Sequence, residues 1–112
     1  MRRRTTSEVG HNFEDELLRA LGPGFAFTTN SGSKWKDGDI RHKRLVCEAK
    51  VKNSTKGFSA PIRELKKLWK TAASQFKDWL YFQKNGDSRA MVLMDLETFL
   101  ELSEDWRNKH AS

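Results

Sequence analysis

The stretch "LVCEAKVK", residues 45–52, constrains the fold more than any other part of the chain. As a strand over residues 45–51, it sends Leu45, Cys47, Ala49 and Val51 to one face. Val46, Glu48, Lys50 and Lys52 go to the other, because successive side chains alternate. The first face can pack on a helix while the second stays polar. Two amphipathic segments are available for packing. Thr5 and Glu8 have capping-box spacing, Val9, Phe13, Leu17, Leu18 and Leu21 follow at helical intervals, and Gly22-Pro23 ends the run. Ile62, Leu65, Leu68, Trp69, Ala72, Ala73 and Phe76 mark a second, longer helix with Pro61 in its first turn.

The remaining segments read as short strands and a closing helix. "FAFTT" is a first strand, residues 39–41 begin a second, and "NSGSKWKDG" between them is a loop. "KNSTKGFS" is a basic loop with a short extended piece at Phe58. "WLYFQK" and "SRAMVLM" flank Asn85-Gly86-Asp87, a strong hairpin signal. "LETFLELSEDW" reads as one closing helix. The predicted order is α-β-β-β-α-β-β-α, an α/β (mixed) fold with a central mixed sheet flanked by helices. At 112 residues the chain suits one domain, residues 1–112, with residues 1–6 as a mobile basic arm.

Charge and cysteine content narrow the function. The net charge of +6 favours a polyanionic partner. One cysteine, Cys47, excludes an internal disulfide or a cysteine-built zinc site, and it suits a reducing, cytoplasmic setting. His11, His42 and His110 lack metal-site spacing and read as surface residues. No apolar run is long enough to span a bilayer, and no apolar segment follows the basic N-terminus as in a signal peptide.

Glu48 and Lys50 stand about 7 Å apart along one strand face. If Lys43 and Arg44 form the tip of a tight turn, Asp39 pairs directly with Glu48, with Cβ atoms about 5 Å apart. Two carboxylates that close repel unless a cation lies between them, and their oxygens suit a hard ion such as Mg²⁺. A neighbouring lysine could orient an attacking water or stabilise charge on a phosphate. Lys-Arg is a poor two-residue turn, so a longer loop is an alternative. The plain alternative for the whole pattern is a solvated hairpin face carrying a Glu48–Lys50 ion pair.

"GD…EAK" resembles the core motif of the PD-(D/E)XK nuclease superfamily. "SGSKWKDGDI" followed by "CEAK", with "GHNFEDELLRAL" upstream, resembles its Holliday-junction resolvase branch, especially the archaeal-type resolvases. The resemblance covers roughly residues 8–100. It implies a restriction-endonuclease-like fold and a Mg²⁺-dependent DNA endonuclease, with Mn²⁺ able to substitute. By resemblance Asp39, Glu48, the Ala49 carbonyl and Glu14 serve the metal, Lys50 is the catalytic lysine, and Ser31 lies near the scissile phosphate. A homodimer making two coordinated cuts is implied as well. Gly38 replaces the usual proline, the hairpin is short for this branch, and Glu64 lies where many relatives carry glutamine.

The helical wheel independently singles out Glu14, which falls between Leu18 and Leu21, over Asp15 and Glu16. The expected DNA-binding residues are Arg2, Arg3, Arg4, Ser33, Lys34, Trp35, Arg41, Lys43, Arg44, Lys52 and Lys56. Lys66, Lys67, Lys70 and Lys77 divide between a DNA rim and solubility. Trp69 and Phe76 read as core, and Trp79, Tyr81, Phe82 and Trp106 as core or dimer interface. Two other functions compete: a nuclease of the same fold acting on other DNA, and a nucleic-acid-binding module without catalysis.

Overall fold

The computed structural model describes residues 6–27, 40–52, 60–86 and 89–111. The elements run α1 (Thr6–Leu21), β1 (Ala26–Phe27), β2 (Ile40–Arg41), β3 (Leu45–Lys52), α2 (Ile62–Ser74), β4 (Asp78–Asn85), β5 (Met91–Leu93), α3 (Leu96–Leu102) and α4 (Glu104–Lys109). The strands form one mixed five-stranded sheet in the order β1-β2-β3-β4-β5. β3 and β4 are parallel, from Leu45↔Asp78 to Lys52↔Asn85, and every other pairing is antiparallel. Parallel neighbours need a crossover, which α2 supplies.

The alternation in β3 sorts the core into two layers. Leu45, Cys47 and Ala49 join Leu80 and Phe82 under α1, which contributes Phe13 and Leu17. Val46 joins Trp79 and Tyr81 under α2, which contributes Leu65, Leu68 and Ala72. β3 is therefore the central strand, covered on both faces where its side chains are apolar. Among the described residues no helix is long and apolar enough to cross a membrane.

Three features differ from the sequence expectation. Phe76 is 97% exposed, not core. The helix stops at Ser74, and Phe76 adopts a left-handed φ of 58°. The Phe76 amide donates to the Ala73 carbonyl at 3.1 Å and the Lys77 amide to the Ala72 carbonyl at 2.9 Å. These are the two bonds of a Schellman cap, and the left-handed residue throws its side chain outward. Ile62 is exposed too, and Pro61 precedes the helix rather than entering its first turn.

The closing helix is also broken, at Ser103. Arg107 donates from Nε to Ser103 Oγ at 2.9 Å and from Nη2 to the Leu100 carbonyl at 2.7 Å, capping the end of α3. Lastly, β5 and β1 are shorter than expected, and β1 ends at Phe27, the last described residue before Ile40.

Candidate functional site

The site begins with the β2–β3 hairpin. Its register is Ile40↔Cys47 and Arg41↔Val46, so Lys43 and Arg44 form a two-residue tip. Such tips normally need positive φ. Among the described non-glycine residues only Phe76 has it, so this tip is held in another way. The His42 amide donates to the Leu45 carbonyl at 3.1 Å, and the Arg44 amide donates to His42 Nδ1 at 3.0 Å. The His42 ring lies 4.5 Å from that of Phe25. It also approaches Gly24, where a Cβ would come within 3.2 Å of the imidazole and φ is +96°. His42, expected at the surface, is a half-buried bracket for the turn. The expected Asp39–Glu48 pair would be the next rung, and Asp39 lies outside the described residues.

Glu48 and Lys50 lie on the α2 side of the sheet, in phase with Val46. Both are half-buried, and Lys50 Nζ is 3.3 Å from Glu48 Oε1. The parallel register sets Tyr81 beside Glu48, Gln83 beside Lys50 and Asn85 beside Lys52. These three neighbours form a polar ladder. The Tyr81 hydroxyl donates to Gln83 Oε1 at 3.1 Å, and Gln83 Nε2 donates to Asn85 Oδ1 at 2.8 Å. All three are buried, Gln83 completely. The sequence had marked this segment only as a strand. The missed signal is the period-two placement of Tyr81, Gln83 and Asn85 beside the charged face of β3.

Electrostatics mark the same place. Burial raises the Tyr81 phenol, and Glu64 and Glu48 raise it further, to about 12. A carboxylate from α2 and one from β3 thus bear on one buried hydroxyl. Cys47, on the α1 side, is pushed up to about 12 by burial, against a small opposing pull from Lys77. Its thiol is a structural group.

Glu14 and Glu16 occupy opposite borders of α1. Glu16 is exposed and pairs with Lys84 of β4 at 3.6 Å. Glu14 is half-buried on the other border, which therefore faces toward β2. Asp15, expected to face away from the apolar stripe, is half-buried as well. α1 packs on the opposite face of the sheet from Glu48 and Lys50.

Arg41 pairs with Val46, so it shares the Glu48 face, as does Lys52. Lys43 is exposed at the tip, whereas Arg44 forms an ion pair with Glu101 at 3.0 Å. Arg2, Arg3, Arg4, Ser31, Ser33, Lys34, Trp35 and Lys56 lie outside the described residues. Among the described residues, no three His, Cys, Asp or Glu side chains converge as a metal cluster. No family model, curated protein or solved structure matches the chain.

Proposed function

We propose that this chain is a metal-dependent DNA endonuclease of the PD-(D/E)XK type, acting on branched DNA such as four-way junctions. The observation that carries the reading is the half-buried Glu48–Lys50 pair on the central strand. It stands on the α2 face beside Arg41 and Lys52, with the register leading toward Asp39. The mixed sheet order, with a parallel β3–β4 pair crossed over by α2, accords with the restriction-endonuclease-like topology that the resemblance implies.

The donors fit a hard cation. Glu48 offers carboxylate oxygen, and the field at Tyr81 is negative enough to raise its phenol. Asp39, Glu48, the Ala49 carbonyl and Glu14 would hold Mg²⁺ or Mn²⁺. When bound, the ion would supply positive charge at the phosphate and a more acidic water. Glu14 comes from the other face of the sheet. It could serve the same ion only beyond the Ile40↔Cys47 rung, where the described ladder ends.

Lys50 has the role of a mobile cation. Its ammonium, held by Glu48, can turn to a phosphate oxygen or hold the attacking water. The Gln83 amide beside it is fixed by Tyr81 and Asn85, so this wall of the site is rigid. Arg41 and Lys52 would contact phosphates and carry no sequence information. Resolving a junction needs two coordinated cuts, so the proposed enzyme is a homodimer.

The test is cleavage of a labelled four-way junction, a flap and a linear duplex, with Mg²⁺ or with chelator. Metal-dependent cutting of the junction, lost in Glu48→Gln with binding retained, is expected. Cutting of flap or duplex in preference would keep the chemistry and change the substrate. DNA binding without cleavage in either metal would leave a binding module and remove the nuclease reading.

A further inference from the structure

Helix α3 is inverted for an element of an isolated monomer. Thr98 points into the protein and is 1% exposed, and its hydroxyl has no hydrogen-bond partner among the described residues. Leu96 and Leu100, nearly opposite Thr98 by helical phase, are 69% and 41% exposed. The apolar side of this helix therefore faces out. Neither α3 nor α4 packs extensively on any other element, although they pack on each other.

The strand leading into α3 has the same character. β5 ends the sheet, and Met91, Val92 and Leu93 are all exposed. It carries none of the charges or prolines that usually blunt an edge strand. On α4, Trp106 is 64% exposed, with only His110 stacked on it.

We infer that β5, α3 and α4 form the docking surface for a second copy of this chain, with β5 of one protomer pairing antiparallel to β5 of its partner. Area is the first argument. With Phe99 and Leu102, these side chains expose roughly 800 Å², the share one partner gives to a standard interface. That is more than an ordinary monomer leaves in one apolar patch. Symmetry is the second argument. Two identical strands paired antiparallel are related by a two-fold axis, so the contact closes at two chains.

Charge is the third. α4 begins with Glu104 and Asp105 and ends with Arg107 and Lys109. Two copies lying antiparallel set acidic starts against basic ends, so the rim is self-complementary. DNA is a poor occupant of the same surface, because its apolar centre offers no cation to a phosphate. The inference stands on this surface alone, whether or not Glu48 and Lys50 act on DNA.

Sedimentation equilibrium of the full chain tests it. Twice the chain mass is expected at micromolar concentration, and one chain mass for Leu100→Glu with wild-type far-UV circular dichroism. Val92→Cys gives an independent readout that does not rely on a disrupted surface. Pairing centred on Val92 puts the two Cα atoms about 4.5–5.5 Å apart, within reach of a disulfide. Mild oxidation should link the chains covalently. Ala26→Cys, on the opposite edge strand, should not link them, and native Cys47 is buried and does not compete. A wild-type chain still monomeric at about 100 μM, above the micromolar range expected for such an interface, overturns the inference. So does a dimer indifferent to Leu100→Glu. Separation by Leu100→Glu without a Val92 cross-link overturns the strand pairing.

Discussion

Tyr81 is the chain's only tyrosine, so its phenolate absorbance reports on the site without interference. In the fold its pKa is raised from 10.0 to about 12, first by burial and then by Glu64 and Glu48. The unfolded chain should ionise near the ordinary value of about 10. Between those two pH values the native state keeps a proton that the unfolded state has released. The stability from this group is therefore complete below pH about 10 and is lost as pH rises through about 12. The slope approaches about 1.4 kcal/mol per pH unit, no more than about 3 kcal/mol across the window.

Two variants separate the causes. Tyr81→Phe removes the donor to Gln83 and leaves a buried amide oxygen unpaired. That should cost about 1–3 kcal/mol at neutral pH while flattening the alkaline slope. Glu48→Gln removes one of the two charges, so the phenol midpoint should fall below that of the wild type. The assay is an absorbance titration with far-UV circular dichroism recorded in parallel. A midpoint near 10 in a chain with native dichroism would refute the burial of this phenol between two acids.

The other predictions concern catalysis and the cap of α2. Lys50→Ala should abolish single-turnover cleavage while calorimetry still detects metal binding, and the reverse pattern would exchange its role with that of a ligand. Glu14→Gln should slow cleavage at least about 100-fold, the scale of a lost catalytic group, whereas Glu16→Gln should not. The opposite ranking would put the wrong border of α1 at the site. Phe76→Gly should stabilise the fold by about 0.5–1 kcal/mol in urea melts, because relief of a left-handed φ exceeds the added chain entropy and little burial is lost. A less stable variant would mean that the Phe76 ring makes contacts in solution.

Much was legible in one dimension because alternation and helical period are local. The β3 pattern assigned Cys47 and Ala49 to one layer and Val46 and Glu48 to the other, and both layers exist. It also set Glu48 and Lys50 on one face, where their ion pair forms. The element order followed from the two amphipathic runs and the turn signals between the strands.

What the sequence could not determine depended on where elements end and what lies beside them. Phe76 continued an apolar stripe, but its fate was decided by a helix that stopped two residues earlier. The Lys43–Arg44 tip looked too poor for a tight turn until His42, braced on Phe25, took the Arg44 amide. Gln83 and Asn85 looked like ordinary strand residues. They became part of the site because β4 lies parallel to β3, in a register that no local pattern encodes. The two faces of β3 were fixed by backbone geometry within one segment, which sequence carries directly. The neighbours of those faces were fixed by packing between segments far apart in the chain, and only the folded structure brings these together.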